Sequence, residues 1–90
     1  MYHLNFTTQF KKDFKKIASS KFDMKKLEEV FVIIEKTGTL PVDKYKTHLL
    51  KGNYKGHHEA HILSDLLLIW YKVDKDINFV RVGSHSELFK

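Results

Sequence analysis

The spacing of the apolar residues changes once along this chain, and the change limits the possible folds more than any other feature. Before Gly38, apolar residues recur at the spacing of one helix face. Between Asn53 and Val82 they alternate or form continuous runs, as in strands. Gly38 and Pro41 separate the two regions, because glycine commonly ends a helix and proline cannot continue one. Helices followed by several strands predict an α+β fold.

The first region predicts a strand and two helices. Residues 2–6 alternate apolar and polar side chains and predict a short strand, after which Thr7 or Thr8 is a suitable N-cap. The apolar face of the first helix consists of Phe10, Phe14, Ile17 and Ala18. Residues 19–22 form a short connection, and a second helix begins near Asp23. We expect the two helices to form an antiparallel pair.

The second region predicts three strands in an antiparallel meander. We place them at residues 57–62, 66–73 and 77–82, with a polar turn at 74–76. The middle strand is almost continuously apolar and is expected to be covered on both faces. A tail, residues 83–90, follows the last strand. This order predicts one twisted sheet, with the helix pair packed on one face and the other face free for a ligand.

Size and cysteine content exclude several classes of protein. A chain of 90 residues is expected to form a single domain, residues 1–90. It contains no cysteine, which excludes a disulfide framework, a thiolate zinc site and a cysteine nucleophile. Its longest apolar run, residues 66–71, is far shorter than the roughly 20 residues of a membrane helix, and its N-terminus lacks a signal-peptide pattern. We therefore expect a cytoplasmic protein without membrane contact.

Basic residues are concentrated in one segment. The net charge is +5, and a positive balance favours a polyanionic partner. Residues 44–58 contain four lysines and no acid, interleaved with tyrosines and histidines. Such a segment can follow a nucleic-acid backbone and stack bases on its rings. It is equally well explained as a solvated loop whose lysines provide only solubility.

Histidine is the residue type that best suits a metal-free reaction on RNA. Five of the six histidines lie in the second half of the chain. RNA carries its own nucleophile, the 2′-hydroxyl, so its cleavage needs a proton acceptor, a proton donor and positive charge. Imidazole can serve in both proton roles near neutral pH. In the strand at 57–62, alternation places His57, Glu59 and His61 on one face and His58 on the other.

Other groupings of these residues stay open. Arg81 and His85 would face one surface if the last strand stayed extended. A metal site would draw on His57, His58, Glu59 and His61. That site is disfavoured, because the helical His-Glu-x-x-His motif and cysteine pairs are absent. A lone histidine is more often structural or solvent-exposed than catalytic.

Three segments of the second half resemble one known family. The segments YKTHLLKGNYKG, EAHILSDLLLIWYKV and VRVGSHSELF are similar, in this order, to those of the RelE/YafQ-type ribonuclease toxins. The first forty residues match mainly in layout. The resemblance implies a RelE-like fold and an endoribonuclease that cuts mRNA in the ribosomal decoding site and is neutralised by a cognate antitoxin. We expect neither a metal ion nor another cofactor.

The resemblance also implies roles for individual residues. The catalytic positions are His48, Glu59, His61, Asp65 and His85. The predicted RNA-binding positions are His58, Arg81 and Phe89, to which the basic segment adds Lys51 and Lys55. His85 is the first candidate for proton transfer and would donate to the leaving 5′-oxygen. Two departures from the family pattern are His58, where arginine is frequent, and Leu66, where tryptophan is common. His58 provides a positive charge only when its ring is protonated. Leu66 in place of tryptophan is a difference in packing.

Two other functions fit parts of the sequence. A ParE-like toxin would inhibit DNA gyrase without cutting RNA, but such a protein does not need Glu59, His61 and His85 together. A simple nucleic-acid-binding module would use the basic segment 44–58 and leave the C-terminal histidine unexplained. The partners expected for the leading interpretation are mRNA, the ribosome with its rRNA, and an antitoxin that is a short acidic protein.

Overall fold

The computed structural model describes residues 1–20 and 22–89. Lys21, in the predicted connection, and Lys90, at the end of the predicted tail, lie outside the described residues. The strands are β1 (His3–Phe6), β2 (His48–Leu49), β3 (His58–Leu63), β4 (Leu66–Val73) and β5 (Asp76–Gly83). The helices are α1 (Thr8–Ala18), α2 (Met24–Thr37), α3 (Val42–Tyr45) and α4 (His85–Leu88), with a 3-10 turn at Gly52–Tyr54. Among the described residues, no helix is long and apolar enough to cross a membrane.

The first two helices begin and end where the sequence predicts. The Thr7 side chain accepts a hydrogen bond from the Phe10 backbone N–H at 3.0 Å and caps α1. The Asp23 side chain caps α2 in a similar way. α2 ends at Gly38, whose φ of 79° lies in the left-handed region. A Cβ atom at Gly38 would lie 2.5 Å from Tyr2 Cζ, so a larger residue would also displace that ring.

All the strands belong to one sheet, in the order β1-β5-β4-β3-β2. β1 runs parallel to β5, and the other neighbours are antiparallel. A parallel pair needs a crossover connection, which here runs through α1, α2 and the strands that follow. β3, β4 and β5 form the predicted meander. The α+β class, the N-terminal strand, the two long helices and the meander are therefore confirmed.

Three short elements differ from the prediction. Residues 42–45 form α3, and the two-residue β2 adds a fifth strand at the sheet edge. Within the described part of the predicted tail, the chain is not extended, because α4 begins at His85 after Ser84 and Glu87 form a capping box. Elements of this length contain too few residues for an apolar period to be visible.

The main core lies between the helices and one face of the sheet. α1 packs on β5, and α2 packs on β3. The ring centroids of Phe10 and Phe31, 6.2 Å apart, bring the two helices into contact, while their antiparallel direction stays a prediction. The core includes Leu27, Ile34, Leu68, Trp70, Phe79 and Val82. Burial of these side chains is the main source of stability in a chain without cysteine.

The opposite face of the sheet carries a smaller apolar cluster. It is formed by Leu67, Ile69 and Leu88, with the rings of Tyr54 and Phe89 packed against it. β4 is therefore buried on both faces over its first five residues, as predicted. The face that we expected to be free is partly covered by α4 and by the 3-10 turn. The candidate site lies on this smaller-cluster face.

Candidate active site

Alternation along β3 directs Glu59 and His61 toward the smaller-cluster face. Ala60 and Ile62 enter the main core, so the side chains next to them point the other way. Glu59 is 5% exposed. It lies opposite His48 on β2 and opposite an apolar residue of β4. The predicted common face of Glu59 and His61 is confirmed.

One carboxylate oxygen of Glu59 lies between two imidazole rings. Glu59 Oε1 is 3.2 Å from His48 Nε2 and 3.8 Å from His61 Nε2. The centroids of the two rings are 6.2 Å apart. The side chain of His48 is 49% exposed and that of His61 is 38% exposed, whereas that of Glu59 is 6% exposed. The group therefore combines a buried anion with two accessible proton carriers.

The backbone fixes the orientation of the His48 ring. Its Nδ1 lies 2.8 Å from the carbonyl oxygen of Lys46, which can only accept a hydrogen bond. Nδ1 therefore donates, and Nε2 carries a proton toward Glu59 only when the ring is an imidazolium. The second carboxylate oxygen, Oε2, is buried without a hydrogen-bond partner among the described residues.

The α4 helix holds His85 on the same face of the sheet. The His85 backbone N–H donates to Asp65 Oδ1 at 3.1 Å. Ser84 and Glu87 form the capping box, and Leu88 is buried in the smaller cluster. The His85 side chain is exposed. Asp65 therefore positions the backbone of His85, while a catalytic role for its carboxylate stays a prediction.

Strand register relates His85 to His61. Leu67 is the pairing partner of His61 on β3 and of Gly83 on β5. Because adjacent strands are about 4.8 Å apart, Gly83 lies roughly 10 Å across the sheet from His61. The described contacts join His48, Glu59 and His61 in one group and Asp65, His85 and Phe89 in another. The two groups lie at the same end of the sheet.

Aromatic rings continue from His85 toward the 3-10 turn. The Phe89 ring centroid lies 5.2 Å from that of His85 and 6.0 Å from that of Tyr54. Lys51 and Lys55 flank the turn and are exposed. Rings beside cations form a surface on which bases can stack while their phosphates are attracted.

Arg81 is paired with Asp13. Its Nε lies 2.7 Å from Asp13 Oδ2, and its Nη2 lies 3.3 Å from Asp13 Oδ1. The hydrogen bond to Asp13 raises the pKa of Arg81 above its ordinary value, against the lowering effect of burial, and Tyr54 raises it further. The condition for the expected common orientation of Arg81 and His85, an extended last strand, is not met, because β5 ends before His85 and α4 begins there. Strand alternation therefore does not relate the two side chains.

His58 lies on the opposite face from Glu59 and His61. Its ring stacks on Trp70, with the centroids 5.5 Å apart. Burial, followed by the charge of Lys72, lowers the pKa of His58. The metal site considered from the sequence is consequently divided between two faces. No cluster of three potential metal ligands occurs within residues 1–20 and 22–89.

Three residues that support the site were not among the predicted ones: Asp13, Lys16 and Glu87. Lys16 Nζ pairs with Glu87 Oε2 and ties α4 to α1. This contact, with help from Ser84, lowers the pKa of Glu87 to about 2. The Lys16–Glu87 and Asp13–Arg81 pairs line a cavity of about 270 Å³. The Ser84-x-x-Glu87 spacing is a visible capping signal, whereas the partners of Asp13 and Lys16 depend on the tertiary fold.

Comparisons with known proteins identify the family. A family model described as "Bacterial toxin of type II toxin-antitoxin system, YafQ" matches residues 2–90. The mRNA interferase toxin YafQ of Escherichia coli K12 is 36% identical over 87 residues, which are 96% of this chain and 94% of that protein. A copper-bound mutant toxin from Helicobacter pylori superposes with a TM-score of 0.89 at 38% identity, covering 99% of this chain and 100% of that one.

A complex with an antitoxin provides a further match. A chain of the E. coli DinJ-YafQ complex superposes with a TM-score of 0.86 at 35% identity, with 100% of both chains covered. The five-stranded mixed sheet and its helices thus match solved structures over the whole fold. This chain belongs to the YafQ family of toxins of bacterial type II toxin–antitoxin systems, and it is an endoribonuclease.

Proposed function

We propose that this endoribonuclease cuts messenger RNA by attack of the 2′-hydroxyl on the adjacent phosphate, with histidine acid–base chemistry and without a metal ion. The observation that carries the proposal is the Glu59 carboxylate enclosed behind His48 and His61. An anion in this position stabilises the imidazolium that forms when a ring accepts a proton. Because imidazole titrates near neutral pH, it can take up and release a proton in each turnover.

The reaction needs two proton transfers. One group removes the proton of the 2′-hydroxyl as the new O–P bond forms, and another donates a proton to the 5′-oxygen as the old P–O bond breaks. The products are a 2′,3′-cyclic phosphate and a 5′-hydroxyl end. His61 and His85 share these roles, and His85 is the proposed donor to the leaving oxygen. Glu59 and His48 support His61, and Asp65 holds the backbone of His85.

Positive charge and stacking come from residues near the two groups. Lys51 and Lys55 are exposed beside the 3-10 turn, and Phe89 offers a ring next to His85. Arg81 uses two of its five N–H groups on Asp13, which leaves donors for a phosphate oxygen. Such cations offset the charge that develops on the phosphorane. His58, on the other face, has no place in this mechanism.

We further propose that cleavage takes place on the ribosome in the cytoplasm and that an antitoxin neutralises the enzyme. E. coli YafQ has been solved in complex with DinJ. For this chain, the net charge of +5 favours an acidic antitoxin and attracts both mRNA and rRNA. The resemblance to RelE-type toxins supports the placement of cleavage in the decoding site.

The test of this function is the His85→Ala variant. On induction, H85A should no longer cut transcripts or arrest growth, although it should still fold and bind its antitoxin. The His3→Ala variant is the matched control, since His3 is exposed on β1 and should be dispensable. Cleavage is mapped by primer extension. With Mg²⁺ kept in excess for the ribosome, a chelator selective for transition metals should leave the wild-type rate unchanged.

Three results would contradict the proposal. Undiminished cleavage by H85A would remove His85 from the mechanism. Loss of activity in this chelator that returns with copper or another transition metal would refute the metal-free reaction, a control made necessary by the copper-bound relative. Intact transcripts together with damaged DNA would favour inhibition of gyrase, as by a ParE-like toxin.

A further inference from the structure

A cleft of about 430 Å³ opens beside His61, at the free edge of β3. α3, the segment that leads to β2, and the end of β3 form its walls. The lining residues are Lys44, Lys46, His61, Ile62, Leu63 and Ser64. Two of these are lysines and none is acidic, so the cleft is positively charged. Of the proposed catalytic residues, His61 alone belongs to this lining.

The cleft exists because β2 is only two residues long. β2 pairs with His58 and Glu59, and no described strand continues this pairing along the rest of the β3 edge. The chain enters the sheet shortly after Lys46, whose φ of 51° lies in the left-handed region. α3 is anchored by the buried ring of Tyr45. The walls are therefore set by backbone geometry and a buried side chain.

Neither lysine of the cleft is neutralised by a carboxylate. In the described ranges 1–20 and 22–89, neither Lys44 nor Lys46 forms a salt bridge. Lys44 Nζ lies 5.4 Å from the centroid of the Tyr45 ring. The carbonyl group of Lys46 accepts the hydrogen bond from His48 Nδ1, which joins its backbone to the candidate active site. Both ammonium groups thus remain available to an anion.

We propose that Lys44 and Lys46 bind the phosphate next to the scissile one on the single-stranded RNA substrate. The inference rests on the proposed function, because His61 is both a wall of the cleft and a proposed proton carrier. An RNA strand that reacts at His61 continues past the mouth of the cleft on one side of the scissile phosphate. It carries a negative charge at each nucleotide. Lysine ammonium groups act as point charges that hold phosphate without demanding one orientation.

The proposal divides the basic segment into two parts. Lys44 and Lys46 precede His48 in the chain and line the cleft, whereas Lys51 and Lys55 follow it and flank the 3-10 turn near Phe89. One pair would hold the substrate on the His61 side, and the other pair on the His85 side. The lysine segment thereby sets how many nucleotides the enzyme engages.

The test compares two double variants with the same change in charge. K44M/K46M removes the cleft lysines, and K25M/K36M removes two exposed lysines of α2. The probe is a single-stranded RNA oligonucleotide with a 2′-deoxy nucleotide at the cleavage position, which cannot be cut. For K44M/K46M we expect binding about tenfold weaker. The slope of log K against log salt should become shallower by about 0.7, for one lost phosphate contact. In the K25M/K36M control, both the binding affinity and the salt slope should change less.

Cleavage of messenger RNA on programmed ribosomes provides the second measurement. Because the flanking phosphate is bound equally before and during the reaction, K44M/K46M should raise KM and leave kcat unchanged. Equal losses of oligonucleotide binding in both double variants would overturn the proposal, as would a fall in kcat at constant KM. Circular dichroism verifies that each variant is folded.

A third arm separates the substrate from the ribosome as the source of the phosphate. Weaker binding of K44M/K46M to vacant ribosomes, with oligonucleotide binding unchanged, would assign the lysines to rRNA and refute a substrate subsite. If wild-type protein bound RNA through these lysines but never cut it, the cleft would be supported and the proposed function would fail.

Discussion

Glu59 combines an energetic cost with a chemical use. A carboxylate removed from water is destabilising unless charges and hydrogen bonds compensate it. Oε1 is compensated by contacts with His48 and His61, but Oε2 has no hydrogen-bond partner among the described residues. An unpaired buried polar atom costs about 1 to 3 kcal/mol. Violations of this kind concentrate at functional sites, where the charge itself is needed.

The Glu59→Gln variant tests this balance. Glutamine keeps the shape of the side chain but removes the charge that stabilises a protonated imidazole. We expect the cleavage rate to fall by about 100-fold, the lower end of what acid–base assistance contributes. The melting temperature should stay the same or rise, because a buried charge is removed. Glu28→Gln, an exposed change on α2, is the control for both measurements. Full activity of E59Q would contradict the proposed role.

How far single residues could be predicted depends on the range of the interactions that place them. Strand alternation is local, and it places Glu59 and His61 on one face correctly. The contact of His48 with Glu59 requires the pairing of β2 with β3, and periodicity does not reveal a strand of two residues. The pairing of Arg81 with Asp13 joins residues 68 positions apart. No local rule anticipates such a contact, so it is found only in the folded structure.

At the scale of elements, α4 is a four-residue helix that depends on contacts outside itself. Glu87 caps it through Ser84 and binds Lys16 of α1. Asp65 accepts the N–H of His85 at its first turn, and Leu88 anchors it in the smaller cluster. The position of the His85 ring therefore depends on a few polar contacts between elements.

The Glu87→Gln variant should affect both acid stability and activity. The folded state lowers the pKa of Glu87 from 4.5 to about 2. Its charge therefore stabilises the fold above pH 4.5, and the stabilisation is lost as the pH falls from 4.5 toward 2. E87Q should be less stable than wild type at neutral pH, with the difference disappearing near pH 2. Unfolding in urea at several pH values measures this difference in the free energy of unfolding.

In the same variant, kcat should fall while KM changes little, because His85 is displaced but substrate-binding groups are not. Glu29→Gln, which breaks the exposed Lys26–Glu29 pair of α2, is the matched control for the loss of one salt bridge. A pH dependence of stability identical to that of wild type would show that Glu87 does not hold α4 as described.

Element length decided what the sequence could reveal. The helices at 8–18 and 24–37 contain several turns, and their N-caps and glycine stop were recognisable. The strands at 66–73 and 76–83 were placed to within about one residue by their apolar pattern and the turn between them. α3, β2 and α4 are each four residues or fewer, and tertiary contacts create them. These short elements form much of the site, which explains why the fold was more predictable than the site.

At the scale of the whole molecule, the sheet separates stability from chemistry. The face under α1 and α2 carries most of the buried apolar residues, whereas the other face carries a small cluster and the candidate active site. Variants of exposed site residues should therefore cost little stability, because they leave the main core intact. Trp70, the one tryptophan of the chain, is 1% exposed in that core.

We expect residues 1–90 to unfold as one cooperative unit, as a single domain does. The far-ultraviolet circular dichroism reports mainly α1 and α2, while the fluorescence of Trp70 reports the sheet beneath them. Because both layers share one core, the two melting curves should coincide, and the calorimetric enthalpy should equal the van't Hoff enthalpy at about 60 kcal/mol near 60 °C. Loss of dichroism at a lower temperature than the change in fluorescence would show that the helices form a separate unit. The proposed single domain would then be wrong.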